Sequence, residues 1–225
     1  MSTHDYRHGS LNCGGVSFAG CKPPAHLSQP EGTMEITLHD AVTVVHGMFF
    51  GALLLLGFTG AAVGLYAIAT PGGRWEATPA QHKWLARYIA ALALLAWCAV
   101  LLGAYAVYPW YRAHPPAGLT DLSGFPQRLL MSRPSTTGWH DLGMEWKEHI
   151  AWFAPIGLTA AAYLVSRYGA SLHALRSVRR AVVGLLALAF LAAGVAGFFG
   201  AMLNKYAPIR GGTSIMLMHG DNHGD

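Results

Sequence analysis

Four long apolar runs dominate this 225-residue sequence and restrict what it can fold into. They cover about residues 41–69, 84–108, 149–166 and 181–203. A helical run of this kind can cross about 30 Å of hydrocarbon, at roughly 1.5 Å per residue. Backbone polar groups in lipid must be satisfied within their own segment, which favours helices. The sequence therefore predicts an all-α integral membrane protein, built as an antiparallel bundle of four transmembrane helices.

The composition agrees with a membrane location and excludes several classes of function. Charged residues make up 12% of the chain, whereas about 25% is typical of soluble domains. The Lys and Arg residues are scattered and form no stripe for phosphates, so we expect no nucleic-acid partner. The sequence contains no Walker loop, no Gly-x-Ser-x-Gly and no His-Glu-x-x-His. Hydrolytic chemistry therefore finds no support in its motifs.

The charges are distributed unevenly between the two sides of the predicted bundle. With four spans, both termini and the long loop 109–148 lie on one side. The two short loops on the other side, around residues 70–87 and 167–180, carry seven Lys and Arg against the lone acid Glu76. Short basic loops stay in the cytoplasm. We therefore expect a multi-pass protein of the bacterial inner (plasma) membrane, with the N- and C-termini periplasmic.

The same topology divides the chain into three parts. An irregular periplasmic segment, 1–40, precedes the transmembrane domain, 41–203, and a periplasmic tail, 204–225, follows it. Such irregular segments need a surface to pack against, so other subunits of a membrane complex are the expected partners, besides the lipid bilayer. Cys13 and Cys21 would be able to form a disulfide in an oxidising compartment.

Two histidines stand at the beginning of apolar helices. His46 opens the first run and His149 opens the third, and both runs cross the membrane in the same direction. Their imidazoles should therefore lie at similar depth, where two rings facing each other can hold a metal such as haem iron. Gly47 and Gly51 leave space beside His46 for a flat ligand. The alternative is that each histidine caps a helix end at the membrane interface.

Further candidate ligands precede these two histidines along the chain. His39 lies seven residues before His46, two turns along the same helical face if the helix extends that far. His140 lies nine residues before His149. We therefore include His39 and His140 among the candidate cofactor-binding residues.

An acidic stripe leads to His149. Asp141, Glu145 and Glu148 share a helical face with this histidine if residues 139–149 are helical. Such a stripe predicts a quinone site or a proton path. The alternative is a solvated amphipathic helix that Trp139 and Trp146 anchor at the membrane interface.

This placement of histidines in a four-span bundle resembles the four-helix membrane-anchor cytochromes b of respiratory complexes. The resemblance covers the helical part of the chain and concerns the general design. It implies one b-type haem near the periplasmic face, ligated by His46 and His149. It also implies electron transfer between quinone and a periplasmic cytochrome or redox enzyme, within a respiratory or photosynthetic complex. Any enzymatic role would then be that of the membrane electron-transfer subunit of an oxidoreductase.

Two other functions fit the sequence. One is a cofactor-free structural membrane subunit of a larger complex. The other is a copper-handling membrane protein, because the C-terminal tail combines thioether and imidazole groups, which suit copper. The residues of that tail are Met216, Met218, His219 and His223.

Overall fold

A computed structural model describes residues 34–69 and 78–218. Within these ranges four helices are long and apolar enough to cross a membrane. We call them the first to fourth spans, and they run Leu38–Ile68, Pro79–Tyr111, Pro134–Ser171 and Arg176–Tyr206. The prediction of a mostly helical membrane protein with four spans is confirmed.

Each of the first three spans contains a π-helical segment, a stretch with wider turns than an α-helix. The helical elements in chain order are α1 (Leu38–Val44), π (Val45–Ala52), α2 (Leu53–Ala69), α3 (Pro79–Leu102), π (Gly103–Val107), α4 (Tyr108–Tyr111), α5 (Pro126–Met131), α6 (Pro134–Glu145), π (Trp146–Ile150), α7 (Phe153–Tyr168), 3-10 (Gly169–Ser171) and α8 (Arg176–Tyr206).

The first two spans begin with side-chain caps that satisfy free backbone amides. The Thr37 side chain accepts a hydrogen bond from the Asp40 amide. Thr78 and Gln81 form a reciprocal capping box ahead of the second span, and Pro79 occupies its first turn, where no amide proton is needed.

The third span is longer than the apolar run that predicted it. Helix begins at Pro134 and continues through the stretch around Trp139 and Trp146 into α7. The amphipathic residues before His149 therefore form the first turns of the span itself. The sequence left this possibility open, because the apolar run from about His149 is short unless the amphipathic stretch from Trp139 forms the first turns of the span.

A two-stranded antiparallel ribbon joins the two ends of the described chain. Strand β1 (Met34–Thr37) pairs with β2 (Ser214–Met218), with Ile36 opposite Ile215. Both strands lie in segments that the sequence predicted to be irregular, because strands of four or five residues are too short to show a clear alternation. Cys13, Cys21, His219 and His223 lie outside the described residues, and so do the possible disulfide and the two histidines of the predicted copper tail.

The four spans pack in a ring. The first and third spans each contact the second and the fourth, so the first and third are diagonal to each other. Ile89, Leu158 and Val182 are fully buried between the spans. We call the end that carries the β-ribbon and residues 112–133 the ribbon end. A span of 31 residues is about 46 Å long at 1.5 Å per residue, which exceeds the roughly 30 Å of hydrocarbon.

Glycines in the first span let the second span approach closely. The Tyr88 hydroxyl donates a hydrogen bond to the carbonyl of Gly57, at 2.9 Å. A Cβ added at Gly60 would overlap the Tyr88 side chain, and one at Gly64 would lie 2.8 Å from Leu85 Cδ1. Small residues at this spacing are typical of close helix packing in membranes.

Gly60→Ala should therefore destabilise the bundle. The added methyl group must displace Tyr88, and overpacking of this kind costs about 1–3 kcal/mol. Thermal unfolding in detergent measures the loss. Gly184→Ala is the matched control, since a Cβ there meets nothing within 4 Å. An equal midpoint for both variants would contradict the close packing at Gly60.

Candidate functional site

His46 lies at the ribbon end of the first span and faces the second span. Its Nδ1 is 2.8 Å from the carbonyl oxygen of Ala99. Because a carbonyl only accepts hydrogen bonds, Nδ1 carries the proton and donates it there. In the neutral ring Nε2 is then left with a lone pair, which is the arrangement of many metal-binding histidines.

Gly103 provides the space that the His46 ring occupies. A Cβ added at Gly103 would lie 2.6 Å from His46 Cε1 and 3.1 Å from Nε2. His46 and Gly103 each lie eight residues from the ribbon end of their spans, which is about 12 Å along a helix axis. The imidazole is thus placed a short distance inside the end of the bundle.

His149 points away from the interior of the bundle. Its side chain is 66% exposed and its Nδ1 is 3.3 Å from Glu145 Oε2. The same nitrogen is 3.1 Å from the carbonyl oxygen of Glu145. This ring too is held through Nδ1, which leaves Nε2 available. The described interactions include no contact between His149 and His46, because the latter faces the second span.

Lys147 lies inside the third span, and it was not among the candidate residues predicted from the sequence. It is half-buried in the π-helical segment of the third span. A Cβ added at Gly200 in the fourth span would lie 3.1 Å from its Nζ. The predicted third span began at His149, so this lysine fell in a loop and drew no attention.

His39 faces the second span, on the same side of the first span as His46. Its ring stacks on Trp110, with 3.9 Å between the ring centroids and an interplanar angle of 13°. The His39 amide donates to the Gly211 carbonyl, which fixes it against the base of the ribbon. The seven-residue spacing thus predicted that His39 and His46 share a face of the first span. The ring of His39 packs on the indole of Trp110 and not beside the imidazole of His46.

His140 is half-buried in a polar cluster at the ribbon end. The hydroxyl of Tyr111 is 2.6 Å from His140 Nδ1, and the side-chain amide of Gln127 is 3.5 Å from His140 Nε2. Tyr111 and Gln127 are only 4% and 8% exposed. Both ring nitrogens of His140 are therefore engaged by protein groups, in contrast to His46.

The predicted acidic stripe is divided in the structure. Asp141 and Glu145 are exposed, and Glu145 pairs with His149. Glu148 is half-buried. The π-helical segment Trp146–Ile150 separates these acids, because its wider turns change the angle between successive side chains.

Two clefts open on the described surface, with volumes of about 300 and 260 Å³. The larger lies between the first and second spans around Gly64 and Trp84, and the smaller lies beside Trp139. Neither is lined by His46 or His149. Residues 34–69 and 78–218 contain no group of three or more His, Cys, Asp or Glu that could hold a metal ion. A haem does not need such a group, because its iron takes only one or two axial ligands from the protein.

Comparison of the chain with protein-family models, curated proteins and solved structures finds no match.

The packing of His46 against Gly103 can be tested by a double-mutant cycle. Gly103→Ala alone should cost about 1–3 kcal/mol of stability, because the methyl group overlaps the ring. The cost should fall in a His46→Ala background, giving a coupling energy of about 0.5–3 kcal/mol in thermal unfolding. Gly138→Ala, where a Cβ meets nothing within 4 Å, should be additive with His46→Ala. Additivity at Gly103 would contradict the contact.

Tyr111→Phe should destabilise the ribbon end. It leaves the half-buried His140 Nδ1 without its partner, and a lost partner of this kind costs about 1–3 kcal/mol. Tyr105→Phe is the control, because Tyr105 is 77% exposed. If both variants unfold at the wild-type temperature, the hydrogen bond between Tyr111 and His140 does not contribute to stability.

Proposed function

We propose that this chain is the membrane subunit of an electron-transfer complex and binds one b-type haem near the ribbon end. His46 would be the first residue to hold the haem iron and His149 the second. When bound, the haem supplies one-electron transfer, and the protein supplies ligation, burial and the setting of the potential.

His46 is the observation that carries this proposal. An ionisable side chain inside a membrane span is costly and is a functional-site hypothesis by default. Here the ring is held by the Ala99 carbonyl through Nδ1, so Nε2 is the nitrogen offered to a ligand. A Cβ at neighbouring Gly47 meets nothing within 4 Å, so open space adjoins the backbone at this position.

His149 is the second ligand because its Nε2 is also left over when Nδ1 bonds to Glu145. Its exposed ring must turn toward the bundle to share an iron with His46. The two histidines therefore have to be tested separately.

The orientation and partners follow from the charges. The basic short loops favour a cytoplasmic location for the end opposite the ribbon, so the ribbon end with His46 would be periplasmic, in the inner membrane of a bacterium. Electrons would then pass between quinone in the bilayer and a periplasmic cytochrome or redox enzyme. Glu148, Asp141 and Glu145 would carry the protons that quinone chemistry releases or consumes.

A structural membrane subunit without a cofactor is the second candidate. The exposed pair of Glu145 and His149 on the third span favours it, because exposed polar groups on a span need a covering surface away from lipid. A neighbouring subunit would provide that surface.

Optical difference spectra of the purified chain distinguish the two candidates. The haem proposal predicts b-type bands in the reduced-minus-oxidised spectrum. His46→Ala should abolish them, and His149→Ala should abolish them or convert them to a single-ligand, high-spin form. His173→Ala is the control, since this exposed residue lies at the opposite end. Absence of haem from the wild-type protein would refute the proposal and leave the structural role.

A further inference from the structure

The end of the bundle opposite the ribbon carries basic residues and no described acid. All six described acids lie in the ribbon half of the molecule; they are Glu35, Asp40, Asp121, Asp141, Glu145 and Glu148. We call the opposite end the basic end, and its described charged residues are Lys83, Arg87, Arg167, Arg176, Arg179 and Arg180. Charges of one sign create a field that attracts an oppositely charged ligand. The basic end therefore favours an anionic ligand.

The larger of the two surface clefts lies at the basic end, between the first and second spans. Its volume is about 300 Å³. Small residues of the first span face larger side chains of the second, and the lining includes Gly60, Gly64, Ala67, Trp84 and Tyr88. Trp84 is 69% exposed, so the cleft is open to the surroundings of the bundle. In a membrane protein, lipid is the solvent at such a surface.

The cleft crosses the level at which the hydrocarbon of the bilayer begins. Gly64 and Trp84 lie four and five residues from the ends of their spans at the basic end, about 6–8 Å along the axis. Gly60 and Tyr88 lie eight and nine residues from these ends, at about 12–14 Å. A span of 31 residues, centred in the bilayer, extends about 8 Å beyond each side of the hydrocarbon. An occupant of the cleft therefore has an apolar part in the hydrocarbon and reaches the headgroup level, as a phospholipid does.

Lys83 and Arg87 stand beside the cleft at the level of the headgroups. Arg87 lies four residues after Lys83 and three after Trp84, so it neighbours both on the helix surface. Helical side chains tilt toward the N-terminus of their helix, which directs Arg87 toward the basic end. Both cations are exposed, and no hydrogen bond or ion pair joins either of them to another described residue. An anion between them would offset the repulsion of two like charges four residues apart.

We propose that this cleft binds an anionic phospholipid. One acyl chain lies in the cleft against Gly60 and Gly64, and the phosphate is held by Lys83 and Arg87. Lys and Arg form charge-assisted hydrogen bonds with phosphate oxygens. A neutral occupant such as a quinone would make no use of these two cations. The site lies at the opposite end of the bundle from His46, so it is independent of haem binding.

Native mass spectrometry of the purified full chain tests the role of the cations, with phosphatidylglycerol and phosphatidylcholine as the added lipids. The wild-type chain should bind phosphatidylglycerol more tightly. Lys83→Gln combined with Arg87→Gln should weaken phosphatidylglycerol binding on the order of tenfold, with little change for phosphatidylcholine. Equal binding of the two lipids by the wild-type chain would refute the proposal.

Arg176→Gln combined with Arg180→Gln is the matched control for the cations. It also removes two exposed charges four residues apart at the basic end, but on the fourth span, which does not line the cleft. This control should bind phosphatidylglycerol almost as tightly as the wild-type chain. Equal losses in the two double variants would refute the site, since the basic end would then attract anionic lipid only in a general way.

Ala67→Leu tests the role of the cleft with all charges intact. Ala67 is half-buried in the lining, and the larger side chain fills space that the acyl chain needs. Phosphatidylglycerol binding should fall on the order of tenfold. Ala62→Leu adds the same group at an exposed position outside the cleft and should bind like wild type.

Unchanged binding in Ala67→Leu would overturn the proposal, because the headgroup would then be held without a chain in the cleft. Circular dichroism confirms that each variant is folded. If Ala67→Leu does not fold, Ala67→Val replaces it, with Ala62→Val as its control.

Discussion

The bilayer interior offers no hydrogen-bond partners, and this constraint governs the whole structure. Backbone groups are satisfied inside four helices, and polar side chains within the spans are held by carbonyls of neighbouring helices. His46 donates to Ala99, Trp146 to Ala192 and Tyr88 to Gly57. Lys147 has no partner of this kind among the described residues.

The π-helical segments place the candidate residues. Val45–Ala52 contains His46, Gly103–Val107 begins at the glycine against its ring, and Trp146–Ile150 contains Lys147 and His149. Such segments are rare, and many occur at functional sites. In the third span, Lys147 lies against Gly200 and His149 is exposed, because residues two apart on a helix point to nearly opposite faces.

Much of the fold could be predicted from the sequence, whereas the direction in which each candidate side chain points could not. Apolar runs predicted four spans, and the seven-residue spacing placed His39 and His46 on one face. The prediction of an acidic stripe assumed regular α-helical turns. It could therefore not anticipate the π-helical segment that separates Glu148 from Glu145. Lys147 was missed because charged turns concealed the true start of the third span. The hydrogen bond from Tyr111 to His140 joins residues 29 apart, and no local pattern indicates it.

The haem content of the purified full chain, determined as the pyridine haemochrome after expression in a haem-producing host, tests the proposed function most directly. We expect one b-type haem per chain, retained through purification in mild detergent. A preparation that is folded and monodisperse but contains no haem would contradict it.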